Sequence, residues 1–282
     1  MTWLFFILLS VGFASISSIL QKVLMKNEKS DPVSYAIMFQ FIFGTFNLLF
    51  GLWHGFVFPE ISLNLFFFLL AGLLWGFGTM FLFKAYQKLE ASEVVILTST
   101  RSLITVVAAL IFLNESYTIN NVIGTILILL SIVLVTKLKK GIKLNRGVMY
   151  SFAVVVFYGL AVVVDASNVK NYDAISYSVI MAYLPGVVLL CLYPQAIKKF
   201  SSIRNLTFSK KMVSLCLFYS VQSIAFYSAL SNGGNASQIG PIIQAQVIIT
   251  VILAIIFLKE RDHLLRKFIG AVLVTIGVIL LK

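Results

Sequence analysis

Long apolar runs separated by short polar intervals make up almost the whole chain. A helix rises 1.5 Å per residue, so crossing a ~30 Å hydrocarbon core takes roughly 20 residues. The runs predict ten spanning helices, at 3–25, 33–54, 63–86, 92–113, 118–136, 147–168, 173–195, 212–232, 236–258 and 264–281. The first lacks a basic leader and a convincing cleavage site, and reads as a spanning helix rather than a signal peptide. Pro32 and Pro241 fall near predicted helix starts, where a missing N–H costs little. Pro185-Gly186 falls inside the seventh run and predicts a kink.

Composition agrees with this pattern. Hydrophobic residues are 60% of the 282, and charged residues are 11%, less than half the roughly 25% of a soluble domain. A soluble fold of this length has no way to cover so much apolar surface. The expected fold class is an all-α integral membrane protein, with every polar interval too short for a soluble domain.

The two halves repeat. A shift of 145 residues aligns Ala91–Glu115 with Ala236–Glu260, with identity at 10 of 25 positions, including an Ala-Ser start and a Phe-Leu-x-Glu end. A weaker echo pairs Asp31-x-x-Ser34-Tyr35 with Asp173-x-x-Ser176-Tyr177, at the starts of the second and seventh runs. The expected domains are therefore two five-helix repeats, 1–140 and 147–282. Because five is odd, the second copy enters the membrane from the opposite side, giving an inverted repeat.

Charge placement orients this scheme. The formal net charge of +12 would usually suggest nucleic acid, but the basic residues sit in short loops, so no nucleic-acid partner is expected. They crowd after odd-numbered runs, as in Lys137, Lys139, Lys140, Lys143 and Arg146, whereas loops after even-numbered runs carry only Lys170. By the positive-inside rule the odd loops are cytoplasmic and both termini lie outside, in a plasma (inner) membrane.

Little points to catalysis. His54 and His263 are far apart, and no Ser/His/Asp or metal-ligand spacing occurs. Cys191 and Cys216 lie inside apolar runs, so neither a disulfide framework nor a metal site is expected. No cofactor is implied. With no G-x-x-x-x-G-K-[ST] loop, any driving force must come from a proton, ion or counter-substrate gradient.

Arg101 is the most informative residue. It lies about eight residues, hence ~12 Å, into the fourth run, too deep to snorkel easily. Thr98 and Thr105 share its face, and the matching face of the ninth run carries Gln246 and Thr250. Two symmetry-related polar stripes suit a shared cavity; the alternative is a structural Arg101, bonded to carbonyls or a buried carboxylate. Asp165, with Tyr158 seven residues earlier on its face, either lines the path, takes a coupling proton or is a solvated helix end. Lys22 is its repeat-related counterpart toward the other membrane face and could simply snorkel. Gln222, Tyr227 and Gln244 are candidate cavity groups. Glu115 and Glu260 end apolar helices at opposite faces, which suits a structural or gating role. Ser10, Ala14, Ser17, Ser18 and Gln21, and likewise Gly72-x-x-x-Gly76, read as helix-packing stripes.

The paired segments Ala91-Ser92…Phe112-Leu113-Asn114-Glu115 and Ala236-Ser237…Phe257-Leu258-Lys259-Glu260, with Gly124 and Gly270 in the helices that follow, resemble the ten-helix EamA-like branch of the drug/metabolite transporter superfamily. The likeness covers essentially the whole chain. It implies a secondary exporter or exchanger of small metabolites with a central cavity between repeats. This chain departs from a symmetric pattern where Ile96 faces Pro241 and Arg101 faces Gln246. The expected function is alternating-access transport of a small polar metabolite such as an amino acid, as a monomer or homodimer, with no enzyme activity. Alternatives are a flippase for a lipid-linked sugar, and a channel or non-transporting scaffold.

Overall fold

A computed structural model describes residues 2–25, 31–60, 64–89, 91–135, 145–204, 206–258 and 264–281. The described residues form α1 (Thr2–Met25), α2 (Pro32–His54), α3 (Leu65–Lys88), α4 (Ala91–Ser99), α5 (Arg101–Phe112), α6 (Ile119–Val135), α7 (Arg146–Asn168), α8 (Ala174–Leu192), α9 (Leu206–Ser231), α10 (Ala236–Ile243), α11 (Gln246–Leu258) and α12 (Leu264–Leu280). Every predicted run holds a helix, but the fourth and ninth are each split into two half-helices. Among the described residues, seven helices are long and apolar enough to cross a membrane, with α4 and α5 counted together. The helices α6 and α12, at 17 residues each, fall short of that length, as do α10 (8 residues) and α11 (13 residues) taken singly. The ninth element, α9, begins six residues before its predicted run and draws Lys210 and Lys211 into the helix.

Packing is reciprocal between repeats. The first helix of each repeat lies on the third of the other, as α1 on α9 and α7 on α3, while α2 pairs with α8 and α6 with α12. Equivalent helices run antiparallel. Asn121 near the start of α6 donates to the Leu280 carbonyl at the end of α12 (3.3 Å). Gly124 and Gly277 are the close approach of that pair, where a Cβ on either would meet the other's carbonyl oxygen at 2.7 Å. Ser34 in the first turn of α2 donates to the Ala196 carbonyl beyond α8 (3.0 Å), and Val57 beyond α2 donates to Ser176 Oγ in the first turn of α8 (3.1 Å). The repeat is therefore inverted. Large apolar side chains stay exposed around the perimeter, including Phe5, Leu49, Phe66, Phe112 and Ile119, and a bilayer is the medium that covers them.

The Asp-x-x-Ser echo marks two N-caps. Asp31 accepts from Ser34 N (3.1 Å) and Asp173 from Ser176 N (2.8 Å), each satisfying a first-turn donor. Burial pushes the Asp31 carboxyl up, but the Ser34 hydroxyl and amide and the Lys199 ammonium (3.2 Å) outweigh it and hold it below its ordinary value. Asp31 therefore stabilises the fold fully above its unfolded pKa, and loses that effect as pH falls through the lower folded one. Thermal unfolding in detergent should show wild type above Asp31→Asn at neutral pH, with the gap closing in acid below pH ~4. A gap that widens in acid would contradict the assignment.

Candidate functional site: a cavity between two broken helices

The two breaks occupy equivalent places. Residues Ser99, Thr100 and Arg101 align with Gln244, Ala245 and Gln246 under the 145-residue shift. In the first copy, hydroxyls compete for helix carbonyls: Thr98 donates to Val94 O (2.8 Å), Thr100 to Leu97 O (2.8 Å) and Ser102 to Ser99 O (3.0 Å). Such back-bonding bends helices. In the second copy Pro241 supplies no N–H, and the chain tightens into three-residue turns, with Gln244 N on Pro241 O (3.0 Å) and Val247 N on Gln244 O (3.0 Å). The expectation of continuous fourth and ninth helices is thus corrected by local hydrogen-bond competition. Corresponding interruptions in two inverted halves are the arrangement that builds midplane binding sites in secondary transporters.

A polar cavity of about 90 Å³ lies between the breaks. Its walls bring together Arg101, Thr98, Thr105, Tyr158, Gln222, Tyr227, Gln244 and Gln246. Gly78 lets the Tyr158 ring lie flush on α3, because a Cβ there would collide with the ring. The Arg101 guanidinium sits 5.5 Å over that ring. It donates no hydrogen bond to a described residue. Tyr158 Oη meets Thr79 Oγ1 (2.9 Å), which accepts from Gln40 Nε2 (3.1 Å). Gln244 donates to Gly240 O (3.1 Å), and its side-chain oxygen, like those of Gln40 and Gln222, is buried with no hydrogen-bond partner among the described residues. Thr250 does not line the cavity; its hydroxyl is buried.

Asp165 lies behind the wall. It is 0% exposed, accepting from Trp75 Nε1 (2.6 Å), Tyr177 Oη (2.8 Å) and Tyr227 Oη (3.2 Å), and only Trp75 and Tyr227 of this cage reach the cavity. It is not the solvated helix end that its sequence position allowed. Lys22 donates to the Tyr86 (3.1 Å) and Leu89 (2.7 Å) carbonyls and so closes the C-terminus of α3. It makes no ion pair with Asp165. Glu115 reaches across the repeats to the first amides of α10. Glu260 lies outside the described residues.

Some wall residues escaped the sequence reading. Ser10, Ala14, Ser17, Ser18 and Gln21 line the cavity as well as packing, since Ser10 also donates to Gln222 O (3.0 Å). Gln40, Trp75, Tyr86 and Tyr219 also line the wall. A polar residue spaced along an otherwise apolar helix, as Gln40 is, was the available signal. Gly72 and Gly76 do serve packing, against Leu184 and Pro185 of α8.

A multi-pass membrane fold with a polar cavity enclosed by two inverted repeats is an architecture that membrane transporters use. The EamA-like transporter family model matches residues 1–137 and 145–282, and the chain belongs to that family, consistent with the drug/metabolite transporter superfamily. It is a membrane transporter of that type, with a lipid bilayer around it and a small molecule as its substrate. A solved crystal structure described only as that of a protein is similar in fold, with TM-score 0.70 at 15% identity over 96% of each chain. No curated relative matches this sequence.

Proposed function

We propose that the protein moves a small polar metabolite bearing a carboxylate or phosphate, by rocking one repeat against the other around the cavity. The observation that carries this reading is Arg101: a guanidinium at the start of a half-helix, facing the cavity, with a tyrosine face as its neighbour and no hydrogen bond to a described residue. A planar fork of charged donors suits an oxyanion. Gln246 supports it as a second donor. Thr98 offers lone pairs only, because its hydrogen is committed to Val94 O. A cavity of about 90 Å³ is well below the ~300 Å³ of ordinary ligand pockets, so admitting a substrate requires the repeats to part.

An amino acid remains the leading example, with its ammonium end met by the amide oxygens of Gln222 and Gln244 and the aromatic wall rather than by Asp165. We assign Asp165 to coupling, with Trp75 and Tyr227 relaying its state to the wall. Lys22 holds the end of α3, and we assign Glu115 and Glu260 to gating. The proposed membrane is the plasma (inner) membrane, with the odd loops cytoplasmic and both termini outside, and with a proton or counter-substrate as the driving partner. A flippase reading is favoured by one feature, an apolar groove of about 550 Å³ between α1, α2 and α9, lined by Phe6, Phe46, Phe50 and Trp53.

Proteoliposomes loaded with a metabolite mixture decide between these readings. Saturable exchange of water-soluble anions or zwitterions is expected; scrambling of a lipid-linked sugar, or non-saturating leak, would replace the proposal with a rival. A reporter at the C-terminus should read out as extracytoplasmic and a tag at 137–146 as cytoplasmic. A cytoplasmic C-terminus would overturn the orientation.

A further inference from the structure

The repeated Ala-Ser…Glu motif has a physical partner in the fold. Asn114, at φ 51°, turns the chain just beyond α5 into the left-handed region that asparagine tolerates best among non-glycine residues. That turn carries Glu115 to the opposite repeat. There one carboxylate oxygen accepts from Ala236 N and the other from Ser237 N, both at 2.9 Å. Asn235, the residue before α10, makes no side-chain cap of its own. The first two amides of this half-helix are thus satisfied by a residue of the other repeat, with the helix dipole adding to the attraction.

The clamp acts on a cavity wall. Gly240 and Ile243 of α10, and Gln244 just beyond its end, line the cavity. Beneath the clamp α5 and α10 are in close contact, and a Cβ on Gly240 would meet Thr105 Cγ2 at 3.0 Å. The other two halves, α4 and α11, meet more sparsely among the described residues.

We infer that Glu115 is a positioning residue of the transport cycle: its carboxylate fastens α10 to the end of α5 and holds one mouth of the cavity shut. This rests on the alternating-access reading, in which contacts across the repeats on one face must break for that face to open. Releasing Glu115 from the two amides opens the mouth between α5 and α10. An ordinary helix cap, by contrast, changes stability without moving a mouth.

The test measures the mouth directly and needs no substrate. Spin labels are placed on Ser116→Cys and Ser231→Cys, both exposed positions on that face, with Cys191→Ser and Cys216→Ala removing the native thiols. Pulsed dipolar spectra in nanodiscs should show a dominant short distance. Glu115→Gln leaves one acceptor oxygen where two are used, and should raise the ratio of long to short populations roughly tenfold. Ala236→Pro removes one of the two amides from the other side, at a first-turn position where proline is tolerated. It should move the same populations in the same direction, with the double variant adding little. Unchanged distances in both folded variants, with or without a lowered Tm, would make Glu115 a cap only and overturn the proposal. Failure to find any transported solute would leave this distance result standing and fall on the substrate reading instead.

Discussion

Arg101→Gln should lower the exchange of carboxylate- or phosphate-bearing substrates by roughly 10- to 100-fold, the effect of losing a charge-assisted bidentate contact. The loss should be larger for small anions than for substrates with other handholds in the wall. Arg101→Lys keeps the charge but not the planar fork, so an intermediate rate is expected. Initial exchange rates in proteoliposomes, normalised to inserted and folded protein, provide the measurement. A glutamine variant working at the wild-type rate would make Arg101 structural. The tyrosine face at 5.5 Å would then be its whole function, and the anion reading would fail.

Asp165→Ala should be the most destabilising single change in the molecule outside the glycine contacts. It strands the Trp75 indole N–H and the hydroxyls of Tyr177 and Tyr227, all of which donate to this carboxylate. Each orphaned buried donor costs about 1–3 kcal/mol, so a loss of about 3–5 kcal/mol is expected even after the tyrosines re-aim. The indole has no other choice, because it can only donate. Asp165→Asn retains one acceptor oxygen and should fall between the alanine variant and wild type. Thermal unfolding in detergent checks the order. If the alanine variant melts with wild type, the cage does not hold α3, α7, α8 and α9 together. A folded Asp165→Asn that still accumulates solute against a gradient would remove Asp165 from coupling.

The sequence carries the frame of this protein better than its site. Helix positions follow from apolar length. The inverted repeat follows from ten identities and an odd helix number, and the Asp-x-x-Ser echo resolves into two N-caps that each touch the other repeat's loop. Arg101 stands out because a charge is rare so far into an apolar run. The broken helices were hidden for a physical reason. In the first copy no glycine or proline marks the break, and it arises from hydroxyls at 98–102 bonding backward, a pattern also found in intact helices. The Asp165 cage draws donors from three separate helices, so no local spacing announces it. The serine stripe of α1 shows a further limit: small polar residues serve packing and cavity lining alike, and only the neighbours distinguish the two.

Val162 lies on the cavity wall in α7 and carries none of the polar contacts described above. A Val162→Cys variant in a background without native thiols, reconstituted in vesicles of known orientation, therefore tests whether this cavity is a transport site. The account predicts reaction with an impermeant thiol reagent added to either side in turn, slowed from both sides by the solutes that the protein exchanges. Reaction from one side only, unaffected by any exchanged solute, would contradict it.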